Sequence, residues 1–166
     1  MLILIRCCFV AAKAIFLFLC TMKKEEFQSF LGINQGDGIE KVTMLFGQPS
    51  EEYNNPENHY IIYYYRFADS DVLSISFSKE TMLVETIYFG HRRIQNTFDW
   101  LETTGVDDPK ANLLNKHIDE IIDLLGVPDE EEPDDFFFRT DKMEVNFYCP
   151  EENDFFCRRI MVSWFA

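Results

Sequence analysis

Ile39-Glu40-Lys41-Val42-Thr43-Met44-Leu45-Phe46-Gly47-Gln48-Pro49 is an amphipathic segment stopped by Gly and then Pro. Ile118-Asp119-Glu120-Ile121-Ile122-Asp123-Leu124-Leu125-Gly126-Val127-Pro128 repeats it. Ile39, Val42, Leu45, Gly47 and Pro49 match Ile118, Ile121, Leu124, Gly126 and Pro128, each 79 residues on. Apolar residues at this spacing predict a helix, and the Gly-x-Pro ending closes it. Acids follow both times, Ser50-Glu51-Glu52 and then Asp129 to Glu132. Tyr63-Tyr64-Tyr65-Arg66 then matches Phe136-Phe137-Phe138-Arg139, now 73 apart because a loop has shortened. A second strand is predicted over 72–77 and 143–148, and a third over 83–89 and 158–164. This many matches in one register predict an internal duplication.

Each unit reads as a helical segment followed by an antiparallel β-meander, which is an α+β pattern rather than βαβ. A unit of this size buries too little apolar surface to stand alone, so the two are expected to share one helix-backed sheet. The sequence therefore divides into an apolar extension over 1–21, a first repeat with a connecting helix over 22–103, and a second repeat over 104–166. Phe27 to Leu31 is predicted to form a short helix ahead of the first repeat, and Asn96 to Thr103 ahead of the second. Thr104 to Ala111, with Gly105 and Pro109, reads as the linker.

The 166 residues carry 15 basic against 29 acidic side chains, a net charge of −14. Apolar residues make up 47% and aromatics 16%, which excludes disorder. The acid excess argues against nucleic-acid binding, which needs a basic surface, and it suits a basic protein partner. Met1 to Cys20 is apolar but interrupted by Arg6 and Lys13. It reads as an over-extended start upstream of Met22, as a signal, or as a lipid or membrane anchor through Cys20. The expectation is a cytoplasmic monomer or weak oligomer, with tethering to the cell envelope through 1–21 as the alternative. Cys149 and Cys157 flank a loop; free buried thiols are expected, and an oxidising compartment would permit a bond.

Two tandem units with helices ending in Leu-Phe-Gly-Gln-Pro and Leu-Leu-Gly-Val-Pro before a meander resemble the β-lactamase-inhibitory-protein-like fold. The single-unit relatives of that fold are small lipoproteins of the outer-membrane assembly machinery. Those families open the helix with a Gly-Met-Thr/Ser cap, whereas Gly36-Asp37-Gly38 and Leu114-Asn115-Lys116-His117 stand here. Asp37 and Asn115 are then the expected caps. The resemblance implies action by binding protein rather than by catalysis. It also implies that a first-unit hairpin delivers an acid to the partner, which selects Asp69 and Asp71.

Alternation predicts which sheet face is free. Tyr60, Ile62, Tyr64 and Arg66 share one face, and Arg66 marks that face as outward. By the same reasoning Phe137 and Arg139 point outward and Phe136 and Phe138 inward. Glu144, Asn146 and Tyr148 point outward, and Met143, Val145 and Phe147 inward. Glu85 marks the open face on the third strand. Aromatics mixed with Arg and acids are what protein-binding surfaces are enriched in. The run Asp129 to Asp135 reads as a solvated acidic loop that could steer a basic partner.

No residue set carries an enzyme reading. His59, His91 and His117 have no metal-ligand spacing, and no Cys pair has zinc spacing. No nucleophile elbow or phosphate-cradling loop occurs, and no cofactor or metal is expected. His91-Arg92-Arg93 could touch an anion but reads first as a solvated turn. The functional expectation is a non-enzymatic protein-binding module, an inhibitor or an immunity protein against a basic toxin or enzyme. An envelope-anchored scaffold is the second expectation and a small enzyme or ligand carrier the third.

Overall fold

Alternating burial along three successive hairpin strands in each half of the chain decides the architecture, because one face of every strand must be withdrawn from water. The structure is a computed structural model that describes residues 22–90 and 93–165. The readings of residues 1–21 and of His91 and Arg92 lie outside the described residues. The chain opens with a 3₁₀ turn over Lys24–Gln28 and a hairpin of β1 (Ser29–Phe30) and β2 (Ile33–Asn34). Helix α1 (Ile39–Phe46) leads to β3 (Glu51–Tyr53), β4 (Tyr60–Phe67), β5 (Ser70–Ser78) and β6 (Val84–Phe89). Helix α2 (Ile94–Thr104) and a 3₁₀ turn over Pro109–Leu113 then lead to α3 (Ile118–Leu125). After it come β7 (Glu130–Glu131), β8 (Asp135–Arg139), β9 (Met143–Tyr148), a 3₁₀ turn over Glu151–Asn153, and β10 (Arg159–Trp164).

β3 to β10 form one eight-stranded antiparallel sheet in the order β3-β4-β5-β6-β10-β9-β8-β7. The α+β expectation therefore holds, and the seam of the sheet is the β6–β10 pair, with Ile160 opposite Phe89 and Val162 opposite Ile87. The inward face carries Ile75, Phe77, Ile87, Phe89, Val145, Phe147, Ile160 and Val162, all fully buried. Against it pack Phe27 from the first 3₁₀ turn, Phe30, Leu31 and Ile33 from the N-terminal hairpin, Val42 from α1, Trp100 from α2 and Ile121 from α3. Burial pushes the Tyr65 phenol up to about 12, so it remains a neutral donor, its hydroxyl reaching the Gly47 carbonyl at 3.3 Å. No helix among the described residues is long and apolar enough to cross a membrane.

Both Gly-x-Pro endings close their helices as the sequence predicts. Gly47 and Gly126 take φ 76° and 88° with ψ near the extended limit, a region closed to residues with a Cβ. Their N–H groups donate to Thr43 O and Ile122 O.

Four local expectations are corrected. Of the short helix expected over Phe27 to Leu31, Phe27 and Gln28 end a 3₁₀ turn, while Ser29 to Asn34 form the β1–β2 hairpin, because Leu31-Gly32 is a two-residue turn with Phe30 opposite Ile33. A buried carboxylate fixes that turn: Asp108 accepts the Leu31 N–H at 2.7 Å and the Lys110 N–H at 3.0 Å. The caps are not Asp37 and Asn115 but Gly38 and His117. Asp37 instead accepts the Asn34 N–H at 2.8 Å, and His117 Nδ1 accepts from Asp119 N at 3.2 Å. The acidic segments are not wholly loop: Glu51–Tyr53 and Glu130–Glu131 are the two edge strands of the sheet, where charge discourages pairing with another chain. Helix α2 begins two residues earlier and ends one later than expected.

Candidate binding face

Helices and the N-terminal hairpin occupy one side of the sheet, and the alternate residues line the other. Register places them in rows across all eight strands. One row runs Glu51, Tyr64, Ser74, Tyr88, Met161, Asn146, Phe137 and Glu130. A parallel row runs Tyr53, Ile62, Ser76, Thr86, Ser163, Glu144 and Arg139. Tyr60 lies beyond Ile62 at one corner and is exposed. Small hydroxyl side chains on β5 and β6 thus form a trough between taller aromatic flanks. Tyr64, Ile62, Phe137 and Tyr148 are half-buried, and Tyr53 and Tyr88 are exposed.

The charges on this face are arranged alike at its two ends. Arg66 binds Glu51 at 2.8 Å and Asp71 at 2.5 Å, one carboxylate from each neighbouring strand. Arg139 binds Glu130 and Glu144, each at 2.6 Å, in the same manner. The paired carboxylates hold both guanidinium pKa values above the ordinary arginine value. Arg139 also lies over the Phe137 ring, 5.4 Å from its centroid. Burial, then the carboxylates of Asp71 and Glu51, push the Tyr64 phenol upward, so Tyr64 presents a neutral hydroxyl to a partner. Within the acidic run, Asp129 is tied down by Lys24 Nζ at 2.9 Å and by the Arg139 N–H at 2.6 Å. Those bonds hold its carboxyl below the usual range.

Of the sequence-selected residues, Tyr60, Ile62, Tyr64, Arg66, Asp71, Phe137, Arg139, Glu144 and Tyr148 lie on this one face. Asn146 shares the face but is only 2% exposed, which corrects its expected exposure. It sits between its cross-strand neighbours Met161 and Phe137, both larger side chains, and its Nδ2 has no hydrogen-bond partner among the described residues. Glu85 is exposed, but strict alternation from it does not hold along β6: a bulge pairs Ser76 with Thr86 but Phe77 with Val84, so Glu85 is the extra residue and Thr86 and Tyr88 take the outward positions.

Asp69 stands apart from the face, in the two-residue turn that closes Phe67 onto Ser70. Ala68 and Asp69 both have positive φ, 46° and 63°, the conformation of a type I′ hairpin turn. Asn-Gly is the favoured pair there, so the double change Ala68→Asn with Asp69→Gly is expected to raise stability by about 1 kcal/mol. A higher urea midpoint at unchanged slope checks it, and no rise would mean that Asp69 holds the turn through its side chain.

Sequence reasoning missed Tyr88 and Arg159. Arg159, Met161 and Ser163 alternate with the buried Ile160, Val162 and Trp164, so the signal was present on β10. Tyr88 was hidden by the bulge.

No protein-family profile matches the chain, and no curated protein matches it. Similar solved structures include a DUF4309 family protein from Bacillus subtilis, with 16% identity, TM-score 0.48, and coverage of 82% of this chain and 84% of that one. A cysteine-rich secretory protein from Staphylococcus aureus shows 12% identity and TM-score 0.52, over 78% of this chain and 42% of that one. An extracellular protein containing an SCP domain from Bacillus anthracis shows 10% identity and TM-score 0.53, over 78% and 43%. The chain spans less than half the length of these last two, and at such identities the likeness is one of fold alone.

Proposed function

We propose that this chain is a non-enzymatic protein-binding module made of a duplicated unit, and that its open sheet face receives a basic protein. Matching bonds at matching offsets support the duplication. Ser50 N donates to Tyr64 O and Asp129 N to Phe137 O, both at 2.8 Å. The Arg66 N–H donates to the Ser50 hydroxyl and the Arg139 N–H to the Asp129 carboxylate. The helix caps Gly38 and His117 each bridge to the following hairpin, at Leu83 and Phe156. A mirrored strand order and the two doubly paired arginines add to this, and they favour the β-lactamase-inhibitory-protein-like resemblance.

The observation that carries the binding reading is the aromatic face itself. Six rings, Tyr53, Tyr60, Tyr64, Tyr88, Phe137 and Tyr148, stand on a side of the sheet that no described helix covers. Such rings are the residues that become hot spots when a partner excludes water from them. Carboxylates outnumber arginines at both ends of the face, which fits a cationic partner and a salt-sensitive association rate.

The test is capture and identification of partners with the parent chain and with a Tyr64→Ala/Phe137→Ala variant, then titration calorimetry with the purified partner. A basic protein, held by the parent and weakened by about 2 kcal/mol for each ring removed, is the expected result. A partner held equally by both baits would place the interface elsewhere.

An envelope-tethered scaffold is the second reading. It is favoured by the two neighbours described as secretory and extracellular, together with the apolar sequence of residues 1–21. Mass spectrometry of the native N-terminus separates the readings: a lipid on Cys20 supports tethering, and a chain beginning at Met22 supports the cytoplasm.

A further inference from the structure

The geometry points to a binding site for a small oxyanion at the seam of the sheet, built by Arg158 and Arg159. The three arginines of the open face are not equally neutralised. Arg66 and Arg139 each hold two carboxylates at 2.8 Å or less. Among the described residues, Arg159 has only Asp135, at 3.6 Å from Nη2, and its Nε–H has no hydrogen-bond partner. Its guanidinium is instead flanked by two rings, 4.9 Å from the Tyr148 centroid and 5.9 Å from that of Tyr88. Flanking rings of this kind hold a guanidinium in place without satisfying its N–H groups.

Arg158, the preceding residue, adds a second cation to the same cavity. Its Nη2 donates to the neutral amide oxygen of Asn153, and no described carboxylate lies within 4 Å of it. Both arginines line a cavity of about 650 Å³ together with Gly90, Tyr148, Pro150, Glu152 and Asn153. Among the described residues, Glu152 is the one acid on that wall and it pairs with neither arginine. A second cavity of about 300 Å³, over the serine trough, shares Gly90 and Arg159 with the first, so the guanidinium stands where the two meet. In a chain of net charge −14, two adjacent cations left short of carboxylates are a departure from its own pattern. An anion with several oxygens, such as phosphate, can take N–H groups from both guanidiniums at once. The site shares Tyr88 and Tyr148 with the proposed protein-binding face but does not rest on that reading, because its test reads only the arginines and phosphate.

Titrating inorganic phosphate and phenyl phosphate into the full chain at low ionic strength, with sodium chloride at matched ionic strength as reference, tests the site. Nitrogen NMR of the arginine Nε–H groups reports binding directly. Saturable movement of the Arg159 signal is expected, with affinity falling about tenfold or more in Arg159→Gln and in Arg158→Gln and unchanged in Arg66→Gln. Arg159→Lys keeps the charge and is expected to weaken binding as well, because the flanked planar fork is lost. Tighter binding of phenyl phosphate identifies an esterified ligand, and tighter binding of the free ion identifies phosphate itself. The proposal is overturned if phosphate does no more than chloride, or if both arginine variants bind it as the parent does while remaining folded by amide NMR.

Discussion

Phe138→Ala is expected to lower the unfolding free energy by about 3–5 kcal/mol, while Phe137→Ala, one residue away, costs about 1 kcal/mol or less. The two rings leave the same strand in opposite directions. Phe138 is 1% exposed and meets Phe147 edge-on with centroids 5.6 Å apart. Phe147 is fully buried and meets Phe27 edge-on at 6.1 Å. The chain of rings ends at the Phe27 carbonyl, which accepts the buried Trp164 indole N–H at 3.1 Å. Removing Phe138 therefore opens a cavity beneath rings that are held by partners on other elements and cannot collapse into it. Phe137 is half-buried on the far side of the sheet under the Arg139 guanidinium, and its removal leaves water in contact with a surface that was already wet. Urea unfolding of the pair side by side decides it, read as midpoint shifts at constant slope. Equal losses would make the open face a second core.

The sequence made the strands legible wherever burial alternates with period two. Tyr60 to Phe67, Asp135 to Arg139 and Met143 to Tyr148 have the faces that alternation assigns. It failed where a local pattern imitated another element or where the answer lay on a distant strand. Phe27, Phe30 and Leu31 imitate a helical stripe, and only the long-range bond of the Leu31 N–H to Asp108 and the packing of Phe30 on Phe89 make Phe30 and Leu31 part of a hairpin. The bulge opposite Phe77 shifts β6 by one residue, and one residue is enough to exchange its faces. Asn146 is buried between Phe137 and Met161, neighbours that exist only once β8, β9 and β10 are in register. Tyr88 and Arg159 come together for the same reason, since β6 and β10 are some 70 residues apart in sequence and adjacent in the sheet. A binding face distributed over eight strands is legible strand by strand, but its centre is a property of the pairing.

That pairing explains why Gly90→Ala is expected to be among the most damaging single changes, at about 4 kcal/mol or more. Gly90 directly follows β6 at the seam, its N–H donating to Val72 O at 3.0 Å, with φ +109°. An L side chain is strained at that φ whatever surrounds it, by on the order of 1–3 kcal/mol. Space is lacking as well. A Cβ would stand 2.6 Å from Arg158 O, 2.8 Å from Leu114 Cδ2 and 3.2 Å from Arg159 Cα. The Leu114 methyl belongs to a side chain that can be shortened, whereas the Arg158 carbonyl belongs to the backbone entering β10 and cannot turn aside without loosening the seam. The double change Gly90→Ala/Leu114→Ala is accordingly expected to rescue nothing and to add the loss of a buried leucine. Hydrogen exchange would locate the damage, with amides of β6 and β10 losing protection before those at either edge of the sheet. A Gly90→Ala chain within about 1 kcal/mol of the parent, with β10 amides still protected, would mean that β10 can withdraw from Gly90 at little cost. The two halves of the sheet would then be joined more loosely than the contact at Arg158 implies.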